Sequence, residues 1–140
     1  MKLQFSKQGI TENNMNKRKT IQRQLILNTV GQMNNHPTAE EVYRKLILSY
    51  PGISKATVYR NLGTLSAEGL ILKISLPDSA DKYDGRTRAH YHAVCRGCGN
   101  MFDVQIADPP HFEVDDTPIK GFAIEECVIL FKGQCQDCKR

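Results

Sequence analysis

HPTAEEVYRKLILSYPGISKATVYRNLGTLSAEG, residues 36–69, contains the start and end signals of two consecutive helices. Thr38, followed three residues later by a glutamate, is a capping box, which predicts that the first helix begins directly after Thr38. A Pro-Gly pair at positions 51–52 is expected to end that helix, and Ser54 is a favourable N-cap for the next. Gly69 is placed to end the second helix in a left-handed turn.

Apolar residues spaced three or four positions apart give both helices a face to bury, and the same spacing predicts a third helix before them. That helix is expected from Thr20 to about residue 34, because Pro37 disfavours helical geometry in the residue before it. The predicted core positions are Ile21, Leu25, Ile26, Val30, Met33, Val42, Leu46, Ile47, Val58, Leu62 and Leu65. Residues 1–16 are polar and lack strong periodicity, which indicates a frayed arm or a short helix.

A hairpin pattern follows the helices. Leu70–Ile74 predicts a strand, Pro77–Ser79 a turn, and Lys82–Tyr83 a second short strand. Three helices followed by a hairpin predict a winged helix-turn-helix, whose third helix enters the major groove of DNA.

Basic and polar side chains on and before the third helix are the candidate DNA contacts, since such groups bind phosphates and base edges. They are Lys17, Arg18, Lys19, Arg23, Lys55, Thr57, Tyr59, Arg60 and Asn61. Charge agrees with this assignment, because residues 1–76 hold 11 Lys and Arg against 4 Asp and Glu, whereas residues 77–140 hold 8 against 11. The alternatives are a basic surface helix with no DNA role and ordinary variation of surface charge.

Two Cys-x-x-Cys motifs mark the second half of the chain. Cys95 and Cys98 form the first motif, Cys135 and Cys138 the second, and 36 residues separate the two. Four thiolates are the number that a closed, tetrahedral zinc site takes, so we expect structural zinc to hold residues 135–138 beside residues 95–98. A disulfide framework is the alternative, and cysteines paired in this way fit a reducing cytosol better. Around these motifs, Met101–Ile106 and Phe122–Phe131 are predicted strands.

Nitrogen and oxygen ligands form a second group. His90 and His92 alternate along an extended segment, which places both rings on one side of a strand. Asp84 lies before them and Asp103 shortly after the first cysteine pair. Imidazole and carboxylate together suit Fe(II), Mn(II) or Zn(II), although a His-x-His pair also occurs without metal. His36 lies at a helix break, from which its side chain can reach toward such a site.

Several classes of protein are disfavoured. No stretch approaches 18 consecutive apolar residues, and the first residues lack the apolar core of a secretory signal, so we expect a cytoplasmic protein. The sequence contains neither a nucleophile motif nor a phosphate-binding loop, so it gives no indication of an enzyme.

These motifs occur together in one known family. Residues 20–23 (TIQR), 36–43 (HPTAEEVY), 54–62 (SKATVYRNL), 90–99 (HYHAVCRGCG) and the late Cys135-x-x-Cys138 resemble, in this order, the ferric uptake regulator family. The resemblance covers roughly residues 17–138 and implies an α+β fold. It implies a winged-helix DNA-binding domain over residues 1–80, a linker over 81–89, and a small α/β dimerisation domain with structural zinc over 90–140.

Within the family, the chain is most similar to the peroxide-sensing repressors of the PerR type. That similarity implies a regulatory Fe(II) or Mn(II) held by His36, Asp84, His90, His92 and Asp103; iron-sensing members usually carry Glu at the last position. It also implies a homodimer that binds a palindromic operator when metal is bound. Peroxide would react with bound Fe(II) and oxidise His36 or His90, after which metal and DNA are released.

The chain departs from the family pattern in two places. Many members have a helix in the segment that corresponds to residues 107–118, but the prolines of this chain leave space there for a short helix or none. Cys127 stands where relatives often have His. We expect Cys127 to be a buried core thiol, with an extra metal ligand or a redox-active thiol as the alternative, and His111 to lie at the surface. The sequence thus predicts a peroxide-sensing repressor; a repressor that senses iron, manganese or zinc is the alternative, and a metalloenzyme using the His/Asp site is a third. It does not specify the operator.

Overall fold

The computed structural model describes residues 8–113 and 120–140, with side chains from residue 15 onward. The chain divides into two compact units, with the boundary between Thr87 and Arg88. Within the described residues, no helix is both long and apolar enough to cross a membrane. Because this boundary lies inside the predicted linker over 81–89, the first residues of that linker, including a strand at Lys82–Asp84, belong to the first unit.

The first unit has the predicted order of three helices and a hairpin. The elements are α1 (Gln8–Gln32), α2 (Ala39–Ile47), α3 (Lys55–Ala67), β1 (Leu72–Ile74) and β2 (Lys82–Asp84). β1 and β2 are antiparallel, with Lys73 opposite Tyr83. The prediction of a mixed α+β fold that begins with a winged helix-turn-helix is confirmed.

α1 begins earlier than the apolar spacing predicts. It is continuous from Gln8, twelve residues before the expected start at Thr20. The side chains of residues 15–20 are all exposed, so this part of the helix has no face to bury and leaves no periodic signal. No proline interrupts it.

The helix boundaries of α2 and α3 follow the predicted caps. Thr38 Oγ1 accepts the N–H of Glu41 at 3.2 Å, and the Glu41 carboxylate accepts the N–H of Thr38 at 2.7 Å. The Ser54 hydroxyl oxygen accepts the N–H of Thr57 at 3.1 Å. Gly69 has φ 73° and ends α3 in the left-handed region, where glycine carries no steric cost.

The core of the first unit lies among the three helices, the residue before β1 and Tyr83 of β2. Its fully buried side chains include Ile26, Val30, Val42, Val58, Leu62, Leu65 and Ile71. Of the predicted core positions, Ile21 is an exception, because it lies one turn before the core begins and is 51% exposed.

The second unit is built on a three-stranded sheet. β3 (Tyr91–Cys95) lies between β4 (Met101–Val104), which is antiparallel to it, and β5 (Leu130–Gly133), which is parallel to it. The described residues of this unit form strands and turns without a helix.

The structure tests four predictions for the second unit. The strand expected over Phe122–Phe131 is wrong for residues 122–129, since only Leu130–Gly133 pairs with β3. Residues 107–113 form no helix, as expected, and residues 114–119 lie outside the described part. Cys127 is exposed, so the predicted core thiol is wrong, whereas His111 lies at the surface as expected.

Candidate metal centres and nucleic-acid interface

The four cysteines of the Cys-x-x-Cys motifs meet at one end of the sheet. β3 ends at Cys95, and its parallel pairing with β5 brings residues 135–138 beside that end. The N–H of Arg96 donates to the carbonyl of Gly133 at 2.8 Å and extends this pairing toward the motifs. The sulfurs of Cys95, Cys98, Cys135 and Cys138 all lie within 4.8 Å of one another.

The thiols of this cluster have divergent pKa values. The N–H groups of Cys135 and then Cys98 lower the pKa of the Cys95 thiol to about 6. Hydrogen bonds to the sulfurs of Cys135, Cys95 and Cys98 raise the pKa of Cys138 to about 12. The N–H of Asn100 alone would lower the pKa of Cys98, but burial and the neighbouring sulfurs raise it overall.

Such divergence is expected when several thiolates would share one small volume, because like charges oppose one another. A divalent cation removes that opposition and lets all four sulfurs ionise. The donor set therefore fits tetrahedral zinc and leaves no coordination position for a substrate.

A histidine and an aspartate are paired in the first unit. His36 Nε2 lies 3.3 Å from Asp84 Oδ2, and both residues are buried. His36 follows α1 with φ 52°, an uncommon value for a residue with a side chain. The next residue, Pro37, accepts the N–H of Tyr83 at 2.9 Å, which fastens the turn after α1 to β2.

Two histidines and an aspartate cluster in the second unit. Asp103 lies opposite His92 in the β3–β4 register, so both side chains leave the same face of the sheet. Asp103 Oδ1 lies 3.3 Å from His90 Nε2 and 3.7 Å from His92 Nε2. His90 Nδ1 lies 2.6 Å from the carbonyl oxygen of Arg88, which fixes the tautomer that leaves a lone pair on Nε2.

Each of these groups offers nitrogen and carboxylate oxygen, unlike the all-sulfur cluster. Within each group the ligand atoms lie within 4.8 Å of one another. This chemistry fits Fe(II), Mn(II) or Zn(II).

The predicted DNA contacts are distributed over α1 and α3. Tyr59 and Arg60 on α3 are exposed, as an outward-facing reading surface requires. Asn61 is half-buried and donates to the carbonyl of Thr57 at 2.8 Å, so its side chain is engaged within the helix. Lys19 and Arg23 of α1 line a groove of about 590 Å³ together with residues of α3.

Two carboxylates, which no sequence motif points to, form salt bridges with residues that are predicted to contact DNA. Glu68 forms a bidentate salt bridge with Arg23, and Glu40 forms salt bridges with Lys55 and Arg44. Arg23 and Glu68 are 45 residues apart, so local spacing gives no sign of their pairing.

Known proteins resemble this chain over most of its length. The profile of the ferric uptake regulator family matches residues 14–131. The peroxide operon regulator of Bacillus subtilis (strain 168) is 32% identical over 121 residues, which are 86% of this chain and 83% of that protein. The peroxide-responsive repressor PerR of Staphylococcus epidermidis is 32% identical over 120 residues, 86% of this chain and 80% of that protein.

Solved structures of two regulators also resemble this chain over most of its length. The Campylobacter jejuni peroxide stress regulator has a TM-score of 0.70 and 28% identity, covering 96% of this chain and 100% of that one. The Helicobacter pylori ferric uptake regulator has a TM-score of 0.67 at 20% identity, covering 100% of this chain and 98% of that one; it supports the fold alone.

Proposed function

Because the chain belongs to the ferric uptake regulator family, we propose that it is a metal-dependent repressor that binds a palindromic operator as a homodimer and responds to peroxide. The family is one of transcriptional regulators rather than enzymes, as the sequence predicts. Similarity to regulators named for peroxide, over more than four-fifths of the chain, supports the choice of signal. The bacterial cytoplasm is the proposed compartment.

The observation that carries this proposal is a set of nitrogen and oxygen donors separate from the cysteine cluster. We assign His36 and Asp84 of the first unit, and His90, His92 and Asp103 of the second, to one regulatory Fe(II) or Mn(II). Their Nε2 and carboxylate oxygens already face one another within each unit. Shared ligation would restrict how the two units are oriented and so favour the arrangement that binds DNA.

The five protein ligands would leave one position of an octahedral ion for peroxide. One oxygen atom of peroxide would be transferred to the ring of His36 or His90 and the other would leave as water, with a bound Fe(II) supplying the redox chemistry. The Arg88 carbonyl holds the His90 ring by its Nδ1, which keeps Nε2 directed at Asp103 and the ring close to the place of oxidation. An oxidised ring would bind metal less well, so DNA would be released.

Zinc at Cys95, Cys98, Cys135 and Cys138 would stabilise the sheet that carries the second-unit ligands, since structural zinc contributes folding free energy. Exposed apolar side chains in this unit support a homodimer. They include Phe102, Phe122, Ile124, Val128 and Phe131. A subunit interface would remove such side chains from water.

DNA binding would use the exposed face of α3 and the basic groove beside α1. Lys19, Arg23 and Arg60 line that groove, and cations of this kind bind backbone phosphates. Affinity should therefore fall steeply as salt is added.

The test uses anaerobic protein loaded with either Fe(II) or Mn(II), and an operator selected from random duplexes on the Mn(II) form. Peroxide should abolish operator binding of the Fe(II) form only, and mass spectrometry should find oxygen added to His36 or His90. If both forms keep binding DNA after peroxide, the protein senses metal rather than peroxide. If neither form binds any duplex more tightly than the metal-free protein, the proposed function is wrong.

A further inference from the structure

The residue after Asp84 lies against the end of α1. A Cβ added at Gly85 would lie 2.9 Å from the Cα of Gly31, 3.3 Å from its N, and 3.5 Å from the carbonyl carbon of Val30. These are backbone atoms of a helix, which cannot turn aside as a flexible side chain does. Only glycine therefore fits at position 85 without a shift of the chain.

The backbone is held both before and after Asp84, and the close approach of Gly85 to Gly31 is the attachment after it. Before it, β2 is held by the N–H of Tyr83, which donates to Pro37, and by a bridge between Lys82 and Thr38. After it, the Gly85 backbone rests on Gly31. Asp84 itself accepts the N–H of Arg86 through Oδ1 at 2.8 Å, while Oδ2 faces His36.

The β1–β2 ladder ends at this point. Its last pair joins Leu72 to Asp84, and the buried Tyr83 precedes it. Residues 85–87 lie beyond the ladder and are exposed. A side chain at position 85 would thus be accommodated by movement of Asp84 and the turn after it, rather than by movement of the core.

We propose that Gly85 is a positioning residue for the regulatory metal: its contact with Gly31 sets where the Asp84 carboxylate stands relative to His36. The inference rests on the proposed function, in which both of those residues are ligands. Gly85 binds nothing itself and acts through Asp84. The end of α1 thereby becomes part of the support of the metal site.

The chain offers a matched control at the same contact. A Cβ added at Gly31 meets nothing within 4 Å, so Gly31→Ala adds the same methyl group without touching residue 85. Gly85→Ala and Gly31→Ala are compared with the wild type, all zinc-loaded and full length. The measurements are Mn(II) affinity by electron paramagnetic resonance, zinc content, and thermal unfolding without Mn(II).

Gly85→Ala should weaken Mn(II) binding by about 10- to 100-fold, the range found when support of a metal ligand is lost. Its zinc content and its unfolding temperature without Mn(II) should match the wild type. Gly31→Ala should keep wild-type Mn(II) affinity, because its methyl group points away from the contact.

Wild-type Mn(II) affinity in Gly85→Ala would overturn the inference, and so would loss of folding without Mn(II), since the contact would then support the fold and not the site. Equal weakening in both variants would overturn it as well. Absence of Mn(II) binding by the wild type would instead refute the proposed function and this inference with it.

Discussion

The apparent zinc affinity of the four cysteines should rise with pH, and the steepness of that rise depends on the pKa values of the thiols in the zinc-free cluster. Zinc binds thiolates, so every thiol that is protonated in the zinc-free cluster must release its proton when the metal enters. Each released proton makes the apparent affinity rise by about tenfold per pH unit. Affinity therefore increases as pH rises, because protons compete less well.

The number of protons follows from the pKa values of the individual thiols. Near pH 7, Cys95 with its pKa of about 6 is already largely ionised and releases almost none. Cys138, with a pKa of about 12, releases one, and Cys98, whose pKa is raised by burial and by the neighbouring sulfurs, releases another. Because the cluster holds four sulfurs and Cys95 is already ionised, no more than three protons can be released. The logarithm of the affinity should thus rise by about two to three per pH unit.

The assay is equilibrium competition for zinc against a chromophoric chelator of known pH dependence, in reducing buffer between about pH 7 and 7.5. A slope close to four would mean that the zinc-free thiols titrate near the ordinary cysteine pKa of about 8.5, as in an unfolded chain, and that Cys95 is not held as a thiolate. A slope of one or less would equally refute the reasoning. Cys127→Ser is the control and should leave the slope unchanged, because Cys127 lies outside the cluster.

Three further perturbations test the metal sites and the DNA surface. Gly97→Ala would place a Cβ 2.7 Å from the Cys138 sulfur, so zinc content measured by atomic emission should fall well below that of Gly133→Ala, whose added Cβ meets nothing within 4 Å. Asp103→Asn should abolish Mn(II)-dependent operator binding in a mobility-shift assay yet retain zinc; retained Mn(II) dependence would remove Asp103 from the ligand set. Arg60→Ala should weaken operator binding by about 1–3 kcal/mol if it contacts a base, and an equal loss on unrelated duplexes by fluorescence anisotropy would assign it to a phosphate instead.

Features set by neighbouring residues were predictable from the sequence. The capping box at Thr38, the N-cap at Ser54 and the left-handed end at Gly69 each depend on groups within five positions along the chain. Candidate metal ligands were also visible, since cysteine, histidine and aspartate carry their donor chemistry in any context.

Features set by distant partners were not predictable. Residues 122–129 have an apolar pattern typical of a strand, but pairing with β3 decides which residues become one, and it begins only at Leu130. Cys127 is exposed although cysteine is buried on average, because a residue-wide preference does not reveal what covers a particular segment. The contact of Gly85 with Gly31 joins residues 54 positions apart and leaves no local signal.

The central position of β3 has a consequence for how a newly made chain matures. Side chains alternate along a strand, so His92 and Cys95, three residues apart, leave opposite faces of β3. β3 thus carries Cys95 of the sulfur cluster and His92 of the histidine group. The sulfur cluster holds β5 beside β3, and the same pairing fixes the position of β3 at His92. Under the proposed function, acquisition of the two metals is therefore ordered, with zinc first. A cell starved of zinc would lose repression even when iron is plentiful and no oxidant is present.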